Sequence, residues 1–179
     1  NVVLLGSTKS GKTTLSEAML YEGKVIDRRG TVEGKNTVSD NAEIEQINQR
    51  SIYATPLYAE FMDTKFNIID TPGAEDFVGG AVSAFKVCDL GVLVVNAQQG
   101  VEVGTQIYAR YAKNYHIPLI VAVNQLDGEK ASWETTLESM KEAFGNKPVV
   151  IQYPVTTGPE FDGFIDVLKM KYYRFAGDT

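Results

Sequence analysis

At 179 residues, 44% of them hydrophobic and 22% charged, the chain is long enough for one compact domain with a sizeable core and has the composition of an ordinary globular protein. A net charge of −6 argues against a broad electrostatic grip on nucleic acid or an anionic membrane, so no direct DNA binding and no membrane association are expected. The single cysteine, Cys88, rules out a disulfide framework, and with one histidine, His116, a Cys/His zinc site is not expected either; no membrane span or signal peptide is visible, which reads as a cytoplasmic protein.

The run "VVLLG" from Val2 to Gly6 is a short β-rich segment that stops at a glycine. "KTTLSEAMLY" follows with helical spacing and places Leu15, Ala18 and Met19 on one face. From Glu22 to Gln49 the chain is polar with little apolar periodicity, a loop long enough to be functional or mobile. "SIYATPLYAEF" and "TKFNIID" predict two strands joined through Met62-Asp63-Thr64, with Pro56 pushing the first to a sheet edge. "DLGVLVVN" and "PLIVAVN" predict buried strands, residues 103–115 a helix, and "WETTLESMKEAF" an amphipathic helix ended by Gly145. Strands alternating with helices give an α/β, doubly wound fold with a mostly parallel sheet. After Pro148 the pattern changes, and "VVIQYPV" with "FDGFIDVLKMKYYRF" predicts the start of an extra strand-containing unit. The domain reading is a core over residues 1–147 and the beginning of an insertion over 148–179. The start at Asn1 and the abrupt "RFAGDT" suggest a domain cut from a longer chain. Cys88 reads as a small core residue and His116 as a structural one.

Three motifs carry chemistry. "GSTKSGKT", Gly6 to Thr13, fits the phosphate-loop pattern G-x-x-x-x-G-K-[ST] between a strand and a helix. Its backbone from Ser7, Thr8, Lys9, Ser10 and Gly11 through Thr14 can face phosphate oxygens, and the helix start favours an anion. Lys12 neutralises the β- and γ-phosphates and Thr13 offers its hydroxyl to Mg²⁺. Asp70 ends a strand in "IIDTPG" and is the natural partner, through water, of the same Mg²⁺, while Gly73 can offer its N–H to a terminal phosphate. "NQLD", Asn124 to Asp127, ends a buried strand; a carboxylate at Asp127 can accept from guanine N1–H and the 2-amino group, which adenine lacks, with Asn124 bracing the loops and Gln125 beside them.

In this order the motifs resemble those of GTP-binding proteins, and within them of the translational GTPases: elongation factor G and its relatives, including the tetracycline-resistance ribosomal protection proteins. "SGKTTLSEAML", "NIIDTPG", "QQGVE" and "FDGFIDVLKMKYY" carry the likeness over nearly the whole chain. The resemblance implies a P-loop GTPase fold, GTP or GDP with Mg²⁺ as ligands, the ribosome as partner, a monomer, and GTP hydrolysis; ribosomal protection and a non-hydrolysing binding module are the alternatives. It also implies a further guanine-loop motif beyond Thr179, without which the strand from Leu119 to Asn124 is a bare sheet edge.

Four departures from the family pattern point to binding kept and turnover reduced. Ala74 stands where the family has the histidine that positions the attacking water, and no catalytic group is certain. Glu75, next in line, is a weak candidate for that job or a solvated charge. At the place of the first switch's Mg²⁺-ligating threonine the match upstream of Arg50 puts Tyr53, whereas counting back from Asp70 brings Ser51; Tyr53 is preferred. Gln125 replaces a lysine, and Lys9 replaces an aspartate; Lys9 is either a solvated loop residue or a charge for the leaving group.

Overall fold

The computed structural model of the protein describes residues 1–175. β1 (Val2–Leu5) is buried along its length, with Val3, Leu4 and Leu5 fully inaccessible. Such a strand belongs inside a sheet with both faces covered. It does lie there: the five-stranded sheet has the order β2-β3-β1-β4-β5, with β2 (Thr55–Phe61), β3 (Thr64–Asp70), β4 (Leu90–Asn96) and β5 (Leu119–Asn124). β1 runs parallel to β3 and β4, Leu4 pairing with Asp70 and with Val92. β2 runs antiparallel, against β3. Pro56 sits on that outer strand, where its missing N–H costs no ladder bond.

The β2–β3 connection is tighter than the sequence suggests. Phe61 pairs with Thr64, so only Met62 and Asp63 turn the chain, and Thr64 already belongs to β3. Both turn residues have positive φ, 48° and 57°, as a two-residue hairpin that matches strand twist requires.

By contacts the chain divides into two compact units: residues 1–95 with 102–122, and residues 96–101 with those from 123 onward. In the first unit, Val2, Leu4, Ala59 and Ile68 form a buried cluster against which Leu15 and Met19 of α1 (Lys12–Glu22) pack. Leu15, Ala18 and Met19 are only partly covered, however. The fully buried residues of α1 are Lys12, Thr13, Ser16, Glu17 and Leu20, so the helix buries a polar stripe as well as its apolar one. Two helices not read from the sequence complete this unit. α2 (Glu43–Asn48) forms inside the long polar stretch, and α3 (Val78–Phe85) follows a 3₁₀ turn at Glu75–Phe77. α3 packs on β1 and on α4 (Val103–Asn114). Cys88 is buried as expected, whereas His116 is exposed, with φ of 58°, in the turn that ends α4.

The second unit contains α5 (Trp133–Phe144), capped by the Ser132 hydroxyl accepting from Thr135 N–H at 3.3 Å. Trp133 meets Tyr153 edge-on, ring centroids 5.8 Å apart. Beyond residue 148 a three-stranded antiparallel sheet, β6 (Gln152–Pro154), β7 (Gly163–Asp166) and β8 (Lys171–Arg174), supplies the extra strands expected there. Residues 176–179 of that expected insertion lie outside the described residues. Among the described residues no helix is long and apolar enough to cross a membrane.

Candidate functional site

The loop between β1 and α1 is shaped by where side chains cannot go. Gly6 has φ of 139°, and a Cβ there would sit 2.3 Å from the Val94 carbonyl oxygen. Only a glycine lets the loop turn against β4 at this point. Lys9 takes the left-handed region at φ 64°, and Ser10 N–H closes the turn onto Ser7 oxygen at 3.2 Å. Ser7, Ser10, Lys12 and Thr13 are buried, Gly11 is partly covered, and Thr8, Lys9 and Thr14 are exposed. α1 has no acidic residue in its first turn, which leaves its positive end for an anion.

Lys12 donates to the carbonyls of Gly6 and Ser7, each at 2.9 Å. Burial lowers its pKa to about 8, against the pull of Asp70, Asp40 and Glu102, which raise it. The ammonium is thus held inside the loop with its charge poorly solvated, a state that phosphate oxygens would relieve.

Asp70, 2% exposed, is the other half of this arrangement. Thr13 Oγ1 donates to Asp70 Oδ2 at 2.9 Å, while Asp70 Oδ1 has no hydrogen-bond partner among the described residues. Burial pushes the carboxyl up to about 6; Lys12 and the Thr13 hydrogen bond pull it down, as does the hydroxyl of Ser39, near enough to act without forming a hydrogen bond of good geometry. Asp40, also buried, has a raised pKa for the same first reason, and its Oδ2 is likewise unpartnered. A threonine hydroxyl, an orphaned carboxylate oxygen and a serine hydroxyl form a hard oxygen donor set. That fits Mg²⁺, which takes few protein ligands and keeps several waters.

The serine is Ser51. Its hydroxyl lies 3.2 Å from Thr13 Oγ1. Tyr53, by contrast, is 57% exposed. Ser51, and not Tyr53, thus brings its hydroxyl beside Thr13, and the reason is the backbone. α2 ends at Gln49 in a left-handed turn with φ of 50°. The buried Glu45 then receives the N–H groups of Ile52 and Tyr53 on one oxygen, at 2.9 and 3.0 Å. Those bonds hold residues 52–53 against α2 and leave Ser51 facing Thr13. Glu17, buried in α1, does the same for an earlier stretch, accepting from Gly30 at 2.8 Å and Val38 at 2.6 Å. Neither of these two positioning acids, Glu17 and Glu45, was singled out from the sequence, nor was the buried Asp40. A charged residue inside a helix stripe that otherwise buries, as Glu17 is in α1, is the signal that could have found one of them.

Gly73 closes the site on its other side. A Cβ on Gly73 would lie 2.5 Å from Lys12 Nζ and 2.6 Å from Thr8 nitrogen, so the backbone reaches the phosphate loop only because the side chain is missing. Ala74 follows in extended conformation and caps the 3₁₀ turn; its methyl brings no polar atom. Glu75 is exposed, and its charge is felt by the Tyr108 phenol. The Tyr108 hydroxyl donates to the Pro72 carbonyl at 2.8 Å, and Thr71 Oγ1 to the Leu4 carbonyl at 2.6 Å. Tyr108 is a further residue of this corner that the sequence does not reveal. Arg50 stands over the Phe77 ring at 5.8 Å and ties the Ser51 segment to the turn after Gly73.

The motif at residues 124–127 lies in the second unit. Gln125 has φ of 59°, and its side-chain oxygen accepts from Asn96 Nδ2 at 2.8 Å. Asn96 Oδ1 in turn accepts from Gln98 N–H at 2.7 Å, which fixes the orientation of the Asn96 amide. Asn124 oxygen accepts from Ala97 N–H, and Leu126 oxygen from Gly158 N–H at 2.7 Å. Asp127 is exposed.

With this geometry in hand, comparison with known proteins is specific. Residues 1–175 match the family described as the elongation factor Tu GTP binding domain. An elongation factor G-like protein of Thermotoga maritima is 35% identical over 99% of this chain and 25% of its own length. Elongation factor G of Mycoplasma pneumoniae is 32% identical over 99% of this chain and 26% of its own length. A crystal structure of a Thermus thermophilus protein superimposes with a TM-score of 0.91 at 32% identity, covering 98% of this chain and 26% of that one. The chain thus spans about a quarter of the length of the curated relatives it matches.

Proposed function

Because the chain belongs to the elongation factor Tu GTP-binding domain family and has its P-loop GTPase fold, we propose that it is the guanine-nucleotide-binding domain of an elongation factor G-like translation factor that binds GTP or GDP with Mg²⁺ and hydrolyses GTP slowly or not at all. In this reading residues 1–147 form the nucleotide-binding core, and the strands after residue 148 begin an insertion. The protein acts in the cytoplasm on ribosomes, as a monomer.

The observation that carries the reading is the corner at Gly73 and Ala74. Gly73 is pressed onto the phosphate loop, which supports a contact between its N–H and a terminal phosphate. The next residue, which must orient water for attack, has only a methyl group. Thr13, Ser51 and, through water, Asp70 would hold Mg²⁺, which when bound neutralises phosphate charge. Lys12 meets the phosphate oxygens, as do the N–H groups from Ser7 through Thr14. Asp127 reads the guanine edge, and Asn124 and Gln125 support it. Loss of one preorganised water-orienting group costs about 10²–10³-fold in rate. Because Ser51 keeps a hydroxyl beside Thr13, the metal-facing switch retains its chemistry, and the defect narrows to the water side.

Titration of the protein with GTP and ATP tests the binding half: GTP is expected to bind far more tightly, and equal affinities would contradict it. Single-turnover phosphate release tests the chemical half.

A further inference from the structure

Among the described residues Tyr108 is the largest of the fully buried side chains and is only 1% exposed. Nothing in phosphate binding calls for a phenol on α4, yet its hydroxyl donates to the Pro72 carbonyl at 2.8 Å. That carbonyl belongs to the same peptide unit as the Gly73 N–H. In a planar trans peptide the C=O and N–H point in opposite directions, so a donor fixed on the oxygen fixes the direction of the hydrogen. Hydrogen bonding to the oxygen also polarises the amide and makes its N–H a better donor.

The neighbouring contacts leave this peptide little room to turn. Thr71, fully buried, is tied to the Leu4 carbonyl at 2.6 Å. Gly73 lies against Thr8 and Lys12 with no space for even a methyl group. Burial, and then the Glu75 charge, push the Tyr108 phenol up to about 12, so it keeps the proton it donates at any physiological pH.

We propose that Tyr108 is a positioning residue that keeps the Pro72–Gly73 peptide oriented with its N–H available to a terminal phosphate, so that preference for a triphosphate is preset in the fold. This rests on the nucleotide-binding reading above. An N–H aimed before the ligand arrives spares the ordering cost at the moment of binding. The diphosphate lacks the group this N–H addresses and gains nothing from it.

The test compares Tyr108→Phe with the parent protein. Dissociation constants are measured for GDP and for the non-hydrolysable β,γ-imido analogue of GTP, both with Mg²⁺. The preference for the analogue over GDP falls roughly three- to tenfold in the variant, the usual worth of one hydrogen bond, while GDP affinity is kept. In the nucleotide-free protein the Gly73 amide proton resonance also shifts upfield. A merely structural role would weaken both nucleotides equally and leave their ratio unchanged, which would overturn the proposal. So would a ratio that rises, since Tyr108 would then hold the N–H away from the phosphate. A parent protein that binds neither nucleotide would overturn the nucleotide reading itself, and a parent that binds both with an unchanged variant ratio would overturn only the role of Tyr108.

Discussion

On one flank of the phosphate loop, Thr13, Ser51, Asp70, Ser39 and Asp40 gather hydroxyls and carboxylates where water is largely excluded. On the other flank Gly73 touches the loop and is followed by Ala74, whose side chain can neither orient a water nor move a proton. Both flanks are equally well built as structure: the first by Glu45 and Glu17 gripping backbone N–H groups, the second by Tyr108 and Thr71 gripping carbonyls. They differ in which chemistry they offer. A site can keep every group that holds a charge in place and lack the one group that acts on water, because binding draws on many contacts and the chemical step on few.

Substitutions on the two flanks should separate them. Ala74→His restores a water-orienting group and is expected to raise single-turnover GTP hydrolysis by about 10²-fold; no change would mean the methyl is not the limiting defect. Asp127→Asn leaves both flanks intact and is expected to reduce the preference for GTP over ATP by roughly 10- to 100-fold, the worth of a charge-assisted hydrogen-bond pair, as read by competition titration. Ser51→Ala is expected to weaken binding of the Mg²⁺–triphosphate analogue about three- to tenfold, while Tyr53→Phe leaves it alone. The reverse result would return the first switch to the register that prefers Tyr53.

The smallest effect is a proton. Asp70 titrates near 6 in place of 3.8 because burial disfavours its charge. Between those values the folded protein binds more protons than the unfolded chain, so this group's contribution to stability falls as pH rises from about 4 to about 6. Lys12, lowered from 10.5 to about 8, binds fewer protons folded than unfolded in that range, and its contribution recovers as pH rises from 8 to 10.5. Between pH 6 and 8 both groups are charged and both weigh against the unliganded fold. Binding of nucleotide with Mg²⁺ should therefore lower the Asp70 pKa, followed by carboxyl carbon NMR, and stabilise the protein more at pH 7 than at pH 5.

What could be read from the sequence was what the backbone imposes over short distances. Gly6 and Gly73 are glycines because no Cβ fits, and Asp70 ends its strand as the sequence implies. What could not be read rests on weak local signals or on contacts across long separations. α2 stands on a half-formed capping box in which Glu45 accepts from Ala42 N–H at 3.2 Å, and α3 contains two glycines that weaken its helical pattern. That Ser51 lies beside Thr13 could not be read from the unbroken match upstream of Arg50, which says nothing about where the chain re-enters the sheet; the antiparallel register of β2 on β3 sets that, from Asp70 backwards. Tyr108 was hidden because its partner, Pro72, is 36 residues away in the chain.

The central claim is that this domain holds GTP but turns it over slowly. The most direct test is single-turnover GTP hydrolysis by the protein, with and without ribosomes. Slow phosphate release in both conditions, accelerated by Ala74→His, is the predicted result. Release as fast as that of a relative with histidine after the D-T-P-G motif would contradict the claim and show that another group orients the water.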